Sequence, residues 1–194
     1  MINNHHPLIT YTAYTSIIVQ IFTTILGVHG ILIPLSKDHQ IIKDIMVMET
    51  VVQIIELCFY ITLIYYLFNI RNELTYTRYF DWALSTPIML LSTVLFFQYN
   101  NHRTTNTSQK SAPPTTMGII SKYKTPILTF TIANWVMLLC GFLGERKAIP
   151  RVSGFFFGSA AFLYSFYVIY KTFVGTSTIN HILFLFMFGI WACY

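Results

Sequence analysis

The chain has 194 residues, of which 55% are hydrophobic, 17% aromatic and only 10% charged. A water-soluble domain of this size carries far more surface charge, and the apolar runs are continuous where a membrane strand barrel would alternate. The net charge of +5 calls for no nucleic-acid partner, because the basic residues cluster in loops beside apolar spans.

Six stretches are long and apolar enough to cross a bilayer as helices, a task that takes about 20 residues. They lie near 11–35, 45–70, 79–101, 125–144, 152–170 and 172–194, and predict one all-α membrane domain over 1–194. The first ten residues lack the basic start of a signal peptide, so the first span is read as retained. It carries Ser16, and His29 reads as a packed, hydrogen-bonded side chain. The second span places Glu49, Gln53, Glu56 and Tyr60 at i, i+4, i+7 and i+11, a single polar stripe on an apolar helix. Its two carboxylates are about 10 Å apart along the axis. The third aligns Arg78, Asp81, Ser85 and Ser92 on one face, spaced by 3, 4 and 7 residues, as a stripe roughly 20 Å long.

Residues 101–118 read as a polar, double-proline connector. The fourth, fifth and sixth spans contain no charged side chain, and the sixth runs to Tyr194 with nothing polar to anchor it. Cys58, Cys140 and Cys193 fall inside separate spans, which suggests neither a disulfide framework nor a metal site. Lys37, Lys43, Arg103, Lys110, Lys122, Lys124 and Lys171 lie towards one side, against Arg71, Arg78, Arg146, Lys147 and Arg151 on the other. The richer side is expected to be cytoplasmic and the N-terminus extracellular or luminal. Of the seven acidic residues, only Glu49, Glu56 and Asp81 fall inside spans; ionisable groups at membrane depth are costly and mark functional sites.

The run R-Y-F-D-W-A-L-S-T-P, Arg78 to Pro87, resembles the third-helix signature of microbial rhodopsins. In that signature an Arg, an Asp three residues on, a Trp and a Thr-Pro pair surround the retinal Schiff base. The fifth-span segment Ser159–Tyr167 is similar to the stretch at the ionone end of retinal, with Phe155, Gly158 and Phe162 at pocket positions. I-W-A-C-Y, Ile190 to Tyr194, resembles the sixth-helix L-W-x-x-Y run, and Met137 and Gly141 stand one turn apart as in the family's pocket. The resemblance implies a seven-helix rhodopsin bundle, six of whose helices are present here, and all-trans retinal as cofactor. The pocket it implies comprises Trp82, Thr86, Met137, Gly141, Phe155, Gly158, Phe162, Trp191 and Tyr194. Asp81 would be counterion and proton acceptor, balanced by Arg78 and assisted by Ser85. A buried cationic Schiff base without such an anion would lose its proton.

The family links retinal to a lysine midway along its seventh helix. None of the lysines here lies at mid-membrane, so that helix is expected beyond these residues; the alternative is a relative that has lost its chromophore and keeps only a membrane scaffold. Proton pumps of the family keep a carboxylate 11 residues after the counterion, where this chain has Ser92, a poor proton source. The second-span stripe is instead similar to the glutamate row of channelrhodopsins, with Glu56 at the central gate, Glu49 two turns nearer the cytoplasm and Ser16 facing them. Thr86 and Asn134 resemble, with altered side chains, a hydrogen-bonded pair of those channels, and E-x-x-x-Q-x-x-E is shared with channel-like viral rhodopsins of large algal viruses. The resulting expectation is a non-enzymatic photoreceptor that works as a light-gated cation channel. Its expected partners are the lipid bilayer of a host cell, protons, monovalent cations and calcium, with a homo-oligomer as candidate assembly. A proton pump or light sensor is the runner-up.

Overall fold

The computed structural model describes residues 7–69, 74–105 and 113–193. In chain order the helices are α1 (Pro7–Leu32), α2 (Gln40–Asn69), α3 (Leu74–Thr105), α4 (Thr116–Lys122), α5 (Lys124–Glu145), α6 (Arg151–Ile169) and α7 (Thr178–Ala192). A 3-10 turn at Lys37–His39 precedes α2. The stretches Tyr11–Leu32, Gln40–Tyr65, Arg78–Thr104, Lys124–Glu145 and Arg151–Val174 are long and apolar enough to span a membrane, and α7 is a shorter apolar helix of 15 residues. The chain is thus a multi-pass membrane protein of all-α class. Packing runs α1 on α2, α2 on α3, α3 on α5 and α5 on α6. Within its apolar stretch 44% of α3 is buried, against 6% for α1, which makes α3 the bundle's centre among the described residues.

Two boundaries differ from the sequence reading. The fifth span continues through a π-helical turn, Tyr170–Val174, and the last helix starts at Thr178, not 172. Gly175 makes the break at φ 67°, where a Cβ would also press to 2.7 Å from the Asn101 amide. The connector is shorter than 101–118, because α3 runs on to Thr105 and α4 begins at Thr116. Pro113 and Pro114 lead into α4, whose N-cap Thr115 accepts from the Gly118 amide at 3.1 Å. Thr116 donates to Asp44 on α2 at 2.6 Å.

Pro87 lies inside α3. Lacking an N–H, it leaves the carbonyl four residues back without its helical donor. That carbonyl, on Ala83, accepts from the Trp135 indole of α5 at 2.9 Å. The proline therefore supplies a tie between helices at the level of Trp82 and Thr86.

At the end of the bundle carrying Lys124, the fully buried Asn180 joins three elements. Its amide nitrogen donates to the Asn101 side chain (2.9 Å), the Val174 carbonyl (2.9 Å) and the Phe97 carbonyl (3.2 Å). Its oxygen accepts from Asn100 at 2.9 Å, and Asn100 also reaches Ser177 at 2.8 Å. Asn180→Leu keeps the volume but strands these partners, each at about 1–3 kcal/mol. A clearly lowered melting temperature in detergent is expected, and a melting curve matching the parent's would show the hub to be dispensable.

Candidate functional site

The site is built on the interfaces of α3 with α2 and α5, where polar side chains sit on otherwise apolar helices. Asp81 is 8% exposed, and its Oδ1 has no hydrogen-bond partner among the described residues. Ser85, one turn on and 1% exposed, donates to the Asp81 backbone carbonyl at 2.9 Å. The expected assistance to the Asp81 carboxylate is therefore not made in this conformation. A serine in a dry helix takes the nearest free acceptor, the carbonyl four residues back.

Arg78 does not turn towards Asp81. It forms an ion pair with Glu145 at the end of α5, and its guanidinium lies 5.3 Å from the Trp82 ring centre and 5.7 Å from that of Tyr79. Sequence reasoning missed Glu145, which stands just past the fourth apolar span and so reads as a loop residue.

Thr86 and Asn134 are brought together. The Asn134 amide donates to the Thr86 hydroxyl at 2.7 Å, and that hydroxyl donates to the Trp82 carbonyl at 2.6 Å. The three atoms form a chain between α5 and α3.

The α2 stripe is occupied along its length by neighbours. Gln20 of α1 donates to Glu56 at 2.5 Å, and Thr23 donates to Gln53 at 2.7 Å. Ser92 of α3 donates to Glu49. The first-helix contacts are thus Gln20 and Thr23, one and two turns beyond Ser16, which is half-buried. The signal for Gln20 was its spacing of four from Ser16 on an apolar helix. Tyr60, at the far end of the stripe, is half-buried with its ring edge-on to Phe59.

The pocket residues fall into two groups. Gly158 lets α6 approach α5, since a Cβ there would lie 3.5 Å from the Met137 carbonyl. At Gly141 a Cβ would meet the Tyr79 ring at 2.9 Å, so this glycine makes room for Tyr79. Phe162 stacks on Phe188 at 5.4 Å, and Trp191 meets Phe166 at 5.8 Å. Phe155 is separate: it is 77% exposed. The antiparallel pairing of α6 with α7 runs Tyr170 with His181, Phe166 with Phe184 and Phe162 with Phe188. Tyr194 lies outside the described residues.

The retinal implied by the resemblance can be tested against these residues. A buried carboxylate oxygen without a donor is costly, and a cation placed beside it removes the cost. Trp82 on α3, Phe162 on α6 and Trp191 on α7 are flat aromatic side chains of the kind that line a conjugated ligand's site. The residues present fit the group. Of the described lysines, Lys37 lies in the 3-10 turn before α2, and Lys43, Lys122, Lys124, Lys147 and Lys171 lie at or near helix ends.

Comparison with known proteins bears on the family and the fold. Residues 11–194 match the family model described as bacteriorhodopsin-like protein. The fold is similar to the crystal structure of viral rhodopsin OLPVRII, with a TM-score of 0.79 and 26% identity over 96% of this chain and 81% of that one. Among curated protein sequences the chain has no match.

Proposed function

Since the chain belongs to the bacteriorhodopsin-like family of microbial rhodopsins, we propose that it is a retinal-binding photoreceptor acting as a light-gated cation channel. The observation that carries this reading is the file Glu49, Gln53, Glu56 on α2, each member engaged by a side chain of α1 or α3. A file of carboxylates between helices attracts cations and repels anions, the usual basis of cation selectivity. With its polar groups taken up by Gln20, Thr23 and Ser92, the file is closed. Opening it requires these bonds to exchange for bonds to water and ions.

Retinal, when bound through a lysine other than those described, supplies light absorption and a cationic end whose geometry changes on illumination. The chain's own residues do the rest. Asp81 holds the compensating anion and takes up a proton at Oδ1. Trp82 and the Thr86–Asn134 bond fix the level of α3 against α5, so a displacement at Asp81 is transmitted along α3 to Ser92 and from there to Glu49. By the positive-inside rule we read the N-terminus as outside and the basic Lys124 end as cytoplasmic, in the membrane of a host cell.

A second reading, a light-driven proton pump, is favoured by the Ser92–Glu49 bond. Ser92 stands where pumps keep their donor carboxylate, and the bond brings a carboxylate from α2 to that place. Photocurrents separate the two. A channel passes ions down their gradient, so its current reverses sign with voltage, whereas a pump's current keeps one direction over the accessible range. A reversing, cation-carried current is expected; a current that never reverses would establish the pump.

A further inference from the structure

The Arg78–Glu145 pair has a role beyond joining α3 to α5. Arg78 and Asp81 are three residues apart on one helix, near enough for the guanidinium to reach the carboxylate. Instead Arg78 pairs with Glu145 across the α3–α5 interface, its plane over Trp82 and Tyr79. Tyr79 lies beside both partners and is seated by the gap at Gly141. The arrangement is only half satisfied: Arg78 Nε and Glu145 Oε2 are buried without hydrogen-bond partners, as is Asp81 Oδ1. The guanidinium thus has a donor to spare, and Asp81 has an acceptor to spare.

We propose that Glu145 is a positioning residue that holds Arg78 away from Asp81, leaving Asp81 as an uncompensated anion for the cationic end of the chromophore. Three features serve that end. The carboxylate of Glu145 competes for the guanidinium, the Trp82 and Tyr79 rings favour a cation above them, and Gly141 admits Tyr79 to the place where it supports the pair. Loss of the Glu145 charge frees Arg78 to swing to Asp81, three residues along the same helix. A cation moved towards the positive end of the chromophore raises its ground state more than its excited state, because excitation carries positive charge away from that end. The absorption band then moves to the red.

This inference rests on the reading of Asp81 as counterion, and the experiment keeps the two apart. Absorption spectra are recorded for the protein reconstituted with retinal, as parent, D81N, E145Q, E145D, E145A, R78Q and R78Q/E145Q. Expected are a red shift in E145Q, an intermediate band in E145D, which keeps the charge on a shorter arm, and the same band in R78Q and R78Q/E145Q. An E145Q band at the parental position, with D81N shifted, overturns the positioning role and leaves the counterion reading standing. A shift from E145Q that persists in full on the R78Q background overturns it too, because Glu145 would then act by its own charge. If E145Q does not assemble, E145A carries the test, and a parental band there overturns the role. An unmoved band in D81N overturns the counterion reading and this inference with it.

Discussion

Asp81→Asn in the retinal-bound protein moves the absorption band to the red if the chromophore's cationic end keeps its proton, or to the near ultraviolet if it does not. The cause is the removal of one buried anion. Asp81 is 8% exposed and its Oδ1 has no partner among the described residues, so no neighbouring group shares the charge through a hydrogen bond at that atom. At an effective dielectric constant of about 20, two unit charges about 4 Å apart interact by about 4 kcal/mol. That is large on the scale of a visible-band shift, and asparagine keeps the shape of the site while removing it. Spectra across about pH 5 to 9, a range spanning ordinary carboxyl and imidazole titration, give the check. A variant whose spectrum coincides with the parent's throughout would place the counterion elsewhere.

Glu56→Gln is the second large effect, and it falls on conduction. Gln20 donates to Glu56, and a glutamine at 56 can accept the same bond, so the α1–α2 contact is kept while the charge is lost. A cation passing about 4 Å from a carboxylate gains about 4 kcal/mol at the same dielectric, so removing the charge changes cation occupancy by on the order of a hundredfold or more. The expected result is a photocurrent with altered selectivity or gating on a nearly unmoved absorption band. Glu49→Gln is expected to weaken conduction from the cytoplasmic side for the same reason. Ser92→Ala distinguishes the readings. In a channel it removes one of the contacts that close the file, so gating changes while the current still reverses with voltage. In a pump it detaches Glu49 from α3 and stalls the photocycle. Two glutamine variants conducting like the parent, together with a stalled Ser92→Ala, would defeat the channel reading.

Much of the site was legible in the sequence because helical spacing alone fixes which residues of one helix share a face. Glu49, Gln53 and Glu56 form a stripe wherever α2 packs, and Arg78, Asp81 and Ser85 follow the same rule on α3. The apolar spans likewise followed from composition, since a helix that satisfies its own backbone is the open-ended structure a bilayer accepts. Even the free Ala83 carbonyl was implicit, because a proline inside a helix frees the carbonyl four residues before it.

What sequence spacing left open was every partner drawn from another helix. Asp81 has Arg78 three residues away, yet the guanidinium went to Glu145, because a charge on a neighbouring helix can meet it end-on above two aromatic rings. Ser92 read as a missing donor until α2 brought Glu49 to it. Gln20 and Thr23, not Ser16, met the stripe, a matter of how far α1 slides along α2. There Gly27 admits the Thr50 side chain and Gly30 that of Met46. Periodicity determines angle around a helix axis, and so the stripes. Rotation and slide between helices come from packing small against large side chains at the interfaces, and only the tertiary structure decided which carboxylate meets which donor.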